Sequence, residues 1–524
     1  MNSSPRAATI LVYVVIVLAF ILFVQRFCSN KIPKGVRELP GPKGYPVIGN
    51  LLDIPKKYAW VAFKELGDIY GPIYKLEIFG ITFVIINDTA IADQLLSVRG
   101  VHYSDRGEFP MISMMTNRGD LVIRPIDDYW RRGRKFATSM LSVTAVKQWQ
   151  SVQAREASRM VVDMVRNPKN YQLWLERFAT AVSVRAGYGK DLNTAELGEY
   201  HTGRILDRMR EIERVSAQGK YLVNLLPVLM YLPDWLAPFK REAKRHYAAK
   251  SAYFSSLLQE AKDKFDLGIP EDPPSYARMY FQNKHHYDLN WEEAKYVLAT
   301  MYGGGAGTTS STMQSYCLAM CLFPEWQSQL RQEVEQVVGC DRIPNFGDLA
   351  QLPLVRAVAK ELLRWRPVVP AGVPHVVTKD DVYDGYYIPK GAWIFTNQWG
   401  LHREKGLYPD GEEFRPDRWL DPKFTTCKGV DGQHPTIRRY SAFGFGRRIC
   451  PGYDLAEQAL FIQIASLAWA CQIRKKVVNG QEIPVPFYDY SNGGNVFPNR
   501  FEFDLVPLDP ERVKFMQQHW DTSQ

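Results

Sequence analysis

Apolar residues along the chain follow patterns that differ in length and period. Residues 7–24 form an 18-residue run without a charged side chain, close to the roughly 20 apolar residues that a membrane-spanning helix needs. From about residue 127 to residue 265 the apolar positions recur at the spacing of amphipathic helices. Residues 291–322 predict another long helix, because Asn290 and Glu293 have the spacing of a capping box at its start.

Strand-like segments are shorter. The sequence PIYKLEIFGITFVIIND, residues 72–88, predicts a β-hairpin that turns near Gly80, and residues 368–414 mix short strands with turns. Further helices are predicted from Pro324, which suits a first helical turn, and over residues 455–473. The pattern predicts a mainly α fold with a minor β portion, an α+β protein whose body is a single domain.

The N-terminal run is interpreted as a transmembrane helix over residues 7–24. It is longer than the roughly 7–15 residues of a signal-peptide core, and no small-residue cleavage site follows it. Arg6 alone precedes the run, whereas four basic residues follow within a short distance, so the rest of the chain is predicted to face the cytosol. A cleaved signal peptide remains the alternative.

These features divide the chain into three predicted parts. Residues 1–30 are the membrane anchor, residues 31–50 are a hinge rich in proline and glycine, and residues 51–524 are the catalytic domain. A second apolar stretch, residues 221–239, contains three prolines and is too interrupted to span a bilayer. It either dips into a membrane beside the anchor or forms a buried loop, and the sequence leaves both open.

The net charge of +9 is spread along the chain, so it does not indicate nucleic acid as a partner. A redox partner or an anionic membrane surface fits the charge equally well. Six basic residues are candidates for a docking face beside the cysteine-containing segment of residues 441–456. The alternative is that they are scattered, solvated charges. They are Arg131, Arg132, Lys135, Arg438, Arg439 and Arg447.

The seven cysteines are odd in number and contain no CxxC pair. A disulfide framework and a structural zinc site are therefore both disfavoured, and a reducing compartment is favoured. Cys450 is left free to act as a thiolate ligand. It lies in the segment SAFGFGRRICPGYDLA, residues 441–456, directly before an apolar helix.

This segment does not fit a phosphate-binding loop. Gly444 and Gly446 begin a GxGxxG pattern, but Ile449 occupies the third glycine position, no strand precedes it, and the lysine of a Walker loop is absent. Cys450 instead lies near a predicted helix N-terminus, where backbone N–H groups stabilise a thiolate. A thiolate, glycines that allow close approach to a flat ligand, and an arginine for a carboxylate together describe haem with an axial cysteine. A buried free cysteine after a glycine-rich turn is the alternative.

The pattern Phe443-x-x-Gly446-x-Arg448-x-Cys450-x-Gly452 resembles the haem-binding signature of the cytochromes P-450. The resemblance implies the cytochrome P-450 fold and haem b, with Cys450 as the metal ligand and the five matched positions as cofactor-binding residues. It extends from the anchor to the C-terminal region, and it is strongest to fungal microsomal members of secondary metabolism.

Other segments resemble the family's remaining motifs. Glu361 and Arg364 form an ExxR pair, which with Arg418 is implied to be a buried structural triad. Trp130 and Arg134 lie four residues apart in a predicted helix and match a pair that reaches a haem propionate. His375 lies where many members place a further propionate contact. For each, an ordinary surface helix or a satisfied polar residue is the alternative.

The long helix contains the sequence GGGAGTTSS, and three consecutive glycines cost about 1 kcal/mol each in a helix. This stretch resembles the family's oxygen-binding motif, with Thr308 matching the hydroxyl that relays protons. Gly307 departs from the family, which usually has Asp or Glu at this position. The catalytic assignment to Thr308 and Gly307 therefore leaves the proton route open.

The resemblance implies a haem-thiolate monooxygenase that inserts one oxygen atom of O₂ into a small apolar substrate, aromatic or polyketide-derived. Electrons would come from NADPH through a flavoprotein reductase, with cytochrome b5 as an additional donor. The implied location is the endoplasmic reticulum membrane. The loop of residues 108–117, with Phe109, Met111, Met114 and Met115, is predicted to wall the pocket. The alternatives are a haem-thiolate isomerase or dehydratase that needs no reductase, and a non-catalytic membrane haem protein.

Overall fold

The computed structural model describes residues 32–216, 220–428 and 435–523 of the 524-residue chain. The predicted transmembrane helix over residues 7–24 lies outside the described residues. Within the described part, no helix is long and apolar enough to cross a membrane.

Helices dominate the described residues, and those of twelve residues or more are numbered here in chain order. They are α1 Ala59–Tyr70, α2 Asp128–Met140, α3 Gln150–Arg166, α4 Tyr171–Tyr188, α5 Ala195–Ser216, α6 Pro238–Asp266, α7 Trp291–Leu322, α8 Pro324–Val338, α9 Pro353–Trp365, α10 Tyr453–Ala470 and α11 Pro510–Thr522. Shorter α-helical segments are Thr89–Asp93, Gly100–Tyr103, Pro110–Met115, Val143–Lys147, Leu222–Leu225, Tyr276–Gln282, Lys284–Tyr287 and Gln398–Leu401.

The strands form small sheets at the edges of the helical body. They are β1 Arg37–Glu38, β2 Ile73–Ile78, β3 Ile81–Ile86, β4 His375–Val376, β5 Asp381–Tyr383, β6 Tyr386–Ile388, β7 Trp393–Thr396, β8 Cys471–Lys475, β9 Val477–Val478, β10 Gln481–Glu482 and β11 Phe503–Pro507. The largest sheet in the described residues has the order β2-β3-β7-β4, in which β3 and β7 are parallel. A mainly helical fold with minor sheets was predicted, and it is confirmed.

The largest apolar core joins helices that come from distant parts of the chain. α3, α4, α7, α9 and α10 each contribute side chains with no exposed surface, among them Met160, Phe178, Met313, Val358 and Ile464. α10 is buried around almost its whole circumference, as expected for an apolar helix at the centre of a large helical protein. The segment that carries Cys450 leads directly into this central helix.

Several local predictions are confirmed. Asn290 accepts a hydrogen bond from the Glu293 N–H, and the Glu293 carboxylate accepts one from the Asn290 N–H, so the capping box starts α7. β2 and β3 form the predicted antiparallel hairpin, and Gly80 turns with φ of 79°. α8 begins at Pro324.

The predicted end of the last apolar helix is wrong. α10 ends at Ala470, not residue 473, because Cys471 to Lys475 form β8, which pairs with β11 in antiparallel register. Ile473 is paired with Leu505. A short apolar run fits a buried helix or a buried strand equally well. Here the run forms a strand because β11, which is remote in the sequence, pairs with it.

The predicted hinge packs against the body in its described part. β1 adds a parallel strand beside β6, and Leu39 is buried. A Cβ built on Gly41 would lie 2.2 Å from the Lys75 carbonyl oxygen, so the chain passes the sheet too closely for a side chain there. Residues 37–41 of the predicted hinge are therefore held against the helical body.

The apolar stretch of residues 221–239 folds into two short helical segments, Leu222–Leu225 and Pro227–Tyr231, ahead of α6. Val223 is buried, but Tyr231 is 89% exposed and Trp235 is 66% exposed. A wholly buried loop is therefore excluded, because large apolar side chains of this stretch face outward.

Candidate active site

The cysteine segment forms a tight loop before α10. Two 3₁₀ turns, Ser441–Phe443 and Gly446–Arg448, fold it, and the Cys450 N–H closes it by donating to the Phe443 carbonyl at 2.8 Å. Gly446 has φ of +55°, and a Cβ built on it would lie 2.1 Å from the Leu96 carbonyl oxygen. Only glycine fits here, because the backbone is left-handed and a neighbouring backbone lies in contact.

The Cys450 sulfur lies at the start of the central helix. The Gly452 N–H donates to Sγ at 3.4 Å, and α10 begins one residue later. Burial raises the pKa of the Cys450 thiol, while the Gly452 N–H and the Arg134 guanidinium oppose that rise. The expected lowering by the helix terminus is present but smaller than the effect of burial, so a bound cation would be needed to hold a thiolate.

Three arginine side chains converge near this loop, and the described part of the chain offers none of them a carboxylate partner. Arg134 of α2 donates to the Ile449 carbonyl, Arg448 donates to the Ser104 and Arg124 carbonyls at 2.9 and 2.7 Å, and Arg106 donates to the Val373 and Pro374 carbonyls at 2.7 and 2.6 Å. Within the described residues none of the three forms a salt bridge. All their described acceptors are neutral carbonyl oxygens.

Burial disfavours the positive charge of these three guanidinium groups. It lowers the pKa of Arg134, lowers that of Arg448 to about 10, and lowers that of Arg106 well below its usual value. Arg106 and Arg448 also repel each other, although Asp105 lies close enough to oppose the lowering. A buried positive cluster of this kind favours binding of an anion with more than one carboxylate.

Trp130 and Arg448 come together although they lie far apart in the sequence. Trp130 is buried on α2, and the Arg448 guanidinium lies 4.2 Å from its ring centroid. The Asp127 side chain caps α2 by accepting from the Trp130 N–H at 2.8 Å. The helix start therefore fixes the position of the indole ring.

His375 lies at the other side of the cluster, in β4. It is 5% exposed, and its Nδ1–H donates to the Tyr103 carbonyl at 2.6 Å. Burial, followed by repulsion from Arg106, lowers its pKa well below the usual value. The neutral ring therefore has no second N–H, and only the protonated ring can donate to a carboxylate from Nε2.

Arg106 was not singled out by the sequence. It lies in YSDRGEFP, where nothing marks it as different from a surface arginine. Its three carbonyl partners, in residues 122, 373 and 374, come from distant segments. A local pattern carries no signal for such contacts.

The predicted triad is a fully buried ion cluster. Arg364 donates to both Glu361 oxygens at 2.9 and 2.8 Å, and Arg418 donates to Oε1 at 3.1 Å. All three residues have no exposed surface. Burial disfavours the Arg364 charge, but Glu361 more than offsets this, so the pKa of Arg364 is raised.

A histidine that the sequence did not reveal connects this triad to the cysteine loop. Arg364 donates to the His402 carbonyl at 3.0 Å, and His402 Nε2 is hydrogen-bonded to the Ser441 hydroxyl at 3.0 Å. The His402 ring also stacks on Tyr440 with centroids 5.0 Å apart. The triad therefore supports the first residues of the loop that carries Cys450.

α7 is a continuous helix, but its glycine stretch leaves an exposed opening on the helix surface at Gly304. Gly304 is exposed within a helix that is otherwise mostly buried, and a Cβ built on it would meet no described atom within 4 Å. The Thr308 hydroxyl donates to the Gly304 carbonyl at 2.6 Å, and Gly307 is buried. α7 packs against α2 and α10, the helices that carry Arg134 and follow Cys450. The opening thus lies on a helix that borders both.

The predicted pocket loop differs in part from expectation. Met111 and Met115 are at most 1% exposed and pack with Val215 and Val223 in a separate apolar cluster. They therefore hold the short helix Pro110–Met115 in place. Phe109 is only partly buried, with its ring 5.1 Å from that of Trp393.

The predicted basic face contains fewer free charges than expected, because two of its six residues form salt bridges. Arg132 pairs with Asp128 and Glu293, and Arg438 pairs with Asp454 at 2.8 Å. Arg131, Lys135, Arg439 and Arg447 are exposed.

A family model described as Cytochrome P450 matches residues 39–475. The chain belongs to the cytochrome P450 family. It is 36% identical over 484 residues to a cytochrome P450 monooxygenase of Armillaria gallica, covering 91% of each chain. It is 34% identical over 494 residues to cytochrome P450 monooxygenase 58 of Postia placenta, covering 94% of this chain and 92% of the relative.

A third relative is cytochrome P450 monooxygenase claR of Ampulloclitocybe clavipes, 31% identical over 475 residues, with coverage of 89% of this chain and 86% of the relative. The prediction of a P450 monooxygenase, an oxidoreductase, is confirmed. Haem with a cysteine thiolate on iron is the cofactor that the family implies. The residues fit it, because buried arginines that have no carboxylate partner in the described ranges lie beside Cys450.

The individual roles of the site residues stay predictions. In this P450, Phe443, Gly446, Arg448, Cys450 and Gly452 form one loop, and Trp130 and Arg134 lie on the helix next to it. Thr308 and Gly307 lie on α7. Glu361, Arg364 and Arg418 lie behind the loop.

Proposed function

We propose that this P450 is a membrane-anchored haem-thiolate monooxygenase that inserts one oxygen atom of O₂ into a small apolar substrate of fungal secondary metabolism. The observation that carries the proposal is Cys450 at the start of α10 beside the guanidinium groups of Arg134 and Arg448, which have no carboxylate partner among the described residues. Such a site suits a planar cofactor with one thiolate ligand and peripheral carboxylates.

Each residue has a defined task in the proposal. When bound, the haem supplies the oxygen chemistry, with its iron held by the Cys450 thiolate. Arg134, Arg448 and Trp130 would hold its carboxylates, and His375 would join them only where a carboxylate next to Nε2 raises its lowered pKa enough for protonation. The Thr308 hydroxyl, which now donates to the Gly304 carbonyl, holds a proton at the opening of α7, and the glycines leave room for oxygen there.

The surroundings of the pocket loop support an apolar substrate. Phe109 and Met114 are partly buried apolar side chains next to the well-packed Met111. Flexible thioethers and an aromatic ring accommodate apolar molecules of varied shape. A small aromatic or polyketide-derived compound is therefore the substrate class that we assign.

Membrane attachment is part of the proposal. Residues 1–30 would anchor the protein through a helix over residues 7–24, with residues 31–50 as the hinge and residues 51–524 as the catalytic domain on the cytosolic face of the endoplasmic reticulum. The outward-facing Tyr231 and Trp235 support contact of residues 221–239 with the same membrane, because such residues favour the membrane interface.

Electrons would reach the site from NADPH through a flavoprotein reductase, with cytochrome b5 as an additional donor. Arg131, Lys135, Arg439 and Arg447 support this, because an exposed basic face steers an acidic partner. A charge reversal such as Lys135→Glu should slow reduction at low salt more than at high salt.

The experiment is the absorption spectrum of the membrane-expressed protein, reduced and exposed to carbon monoxide. A strongly red-shifted band is expected, and it should be lost in Cys450→Ser but kept in Cys340→Ser, since Cys340 is an exposed cysteine near α8. Haem-free folded protein would overturn the proposal. NADPH consumption with reductase then separates a monooxygenase from a haem protein without catalysis.

A haem-thiolate isomerase or dehydratase is the second candidate. Gly307 favours it, because the carboxylate that the family usually has at this position is replaced by hydrogen. Such an enzyme would convert a peroxide substrate with no NADPH. The presence of Thr308 favours the monooxygenase, and dependence of product formation on NADPH decides between them.

A further inference from the structure

α4 and α7 run antiparallel and present polar groups to each other. Gln172, near the start of α4, donates to Gln314 Oε1 at 3.1 Å, near the end of α7. Further along α4, Ser183 faces Gly305, where a built Cβ would lie 2.5 Å from the Ser183 hydroxyl oxygen. Glycine at position 305 therefore lets a hydroxyl of α4 approach the glycine stretch of α7.

Three polar residues of α4 share the face that leads toward this point. Glu176, Thr180 and Ser183 are spaced four and three residues apart, so they lie above one another on one side of the helix. The Thr180 hydroxyl has no exposed surface and no hydrogen-bond partner among the described residues. A buried hydroxyl without a hydrogen-bond partner lowers the stability of the folded protein. A functional role would explain why Thr180 has one.

Glu176 lies at the outer end of the row. Its Oε1 accepts from Gln314 Nε2 at 3.4 Å, and the side chain is only partly buried, so it can exchange protons with solvent. Burial raises the pKa of Glu176 to about 7, while Arg210 of α5 and the Gln314 amide oppose the rise. The carboxyl therefore gains and loses a proton near neutral pH.

The monooxygenase reaction needs such a group. Each turnover consumes two protons together with O₂, a substrate C–H bond and two electrons from the reductase, and it releases one hydroxylated product and one water. Gly307 supplies no acid on α7 itself. We propose, on the basis of the function proposed above, that Glu176, Thr180 and Ser183 of α4 carry protons to Thr308 through the glycine stretch of α7.

In this arrangement Glu176 is the proton source, and the two hydroxyls are relay positions. A proton leaves the Glu176 carboxyl, passes through Thr180 and Ser183 with intervening water, and reaches the Thr308 hydroxyl. Solvent then returns a proton to the Glu176 carboxylate. No electrons move along the row.

The first test compares Glu176→Gln and Thr180→Val with Glu199→Gln, which removes an exposed carboxylate on α5. With haem-loaded protein and reductase at pH 7.5, Glu176→Gln and Thr180→Val should slow NADPH consumption about 10-fold and raise the solvent deuterium isotope effect. Glu199→Gln should match the wild type. Thr180→Val should keep or raise the melting temperature, because it removes an unpaired hydroxyl.

Sulfoxidation of thioanisole with hydrogen peroxide serves as the matched reaction. One peroxide and one sulfide give one sulfoxide and one water with no net uptake of protons or electrons, so all variants should equal the wild type. Equal losses with NADPH and with peroxide would mean general damage and overturn the relay. Unchanged NADPH rates in both Glu176→Gln and Thr180→Val would overturn it as well.

An infrared titration gives a readout that is independent of turnover. The wild type minus Glu176→Gln difference spectrum should contain a protonated carboxyl band that disappears with a midpoint near pH 7. A Glu176 that stays ionised down to pH 5 would exclude it as the proton source. The carbon monoxide spectrum of the wild type separates these results from failure of the haem-thiolate assignment.

Discussion

The guanidinium of Arg448 lies over the indole ring of Trp130, with 4.2 Å between its central carbon and the ring centroid. The two residues belong to separate sequence motifs, one in α2 and one in the cysteine loop. A cation over an aromatic ring in a desolvated place contributes roughly 1–2 kcal/mol. The contact therefore fixes the loop that carries Cys450 against the helix that carries Arg134.

Arg448→Lys should lower both stability and haem retention. Lysine cannot form the fork that reaches the Ser104 and Arg124 carbonyls while it covers the indole. We expect a loss of about 2–3 kcal/mol in the free energy of unfolding, from hydrogen bonds to a charged group. Urea denaturation and transfer of haem to apomyoglobin measure the two effects. The neighbouring exposed Arg447→Lys is the control, and equal behaviour of both variants would contradict the assignment.

Glu361→Gln should destabilise the protein strongly. The carboxylate accepts from Arg364, Arg418 and Trp419 in a site without exposed surface, so its removal leaves buried charges unpaired. The expected loss is about 3–5 kcal/mol, measured as a lower urea midpoint. Glu413→Gln is the control, because that exposed residue offers only its carbonyl to Arg364. A midpoint shift of Glu361→Gln as small as that of Glu413→Gln would show that the cluster is not structural.

Local patterns in the sequence were sufficient to predict several elements of the structure. The capping box at Asn290, the turn at Gly80 and the cysteine loop are set by residues within a few positions of each other. The roles of Arg106 and His402 were missed, because their partners are backbone carbonyls and a hydroxyl in distant segments. The end of α10 was misplaced for the same reason, since β8 forms only when β11 pairs with it.

Stability should fall as the pH falls from about 6.5 to about 4, in part because of His201. Burial, aided by Lys190 and opposed by Glu260, lowers the pKa of His201 from 6.5 to about 4. The unfolded chain takes up a proton at a higher pH than the folded protein, so acid favours unfolding in this window. The full shift corresponds to about 3 kcal/mol, and solvent screening reduces the expected effect to roughly 1–2 kcal/mol.

His201→Gln should therefore flatten the acid limb of the stability curve. The variant keeps a polar group near the Tyr253 hydroxyl, to which His201 Nδ1 is bonded at 2.7 Å. Some slope should remain, because burial also lowers the pKa values of His375 and His402. The measurement is the free energy of unfolding at several pH values between 4 and 7. Parallel curves for the variant and the wild type would mean that His201 carries no part of the pH dependence.

Gly446→Ala tests whether the cysteine loop needs a glycine for space and not only for backbone freedom. A left-handed backbone costs a residue with a Cβ about 1–2 kcal/mol, and the Leu96 carbonyl would lie only 2.1 Å from the new carbon. Gly480→Ala is the matched control, since Gly480 has φ of +78° and no atom of the described residues lies within 4 Å of a built Cβ. We expect Gly480→Ala to show only the backbone cost in urea denaturation. Gly446→Ala should lose more stability than that and should also lose the red-shifted carbon monoxide band, because Leu96 and Cys450 cannot both keep their positions.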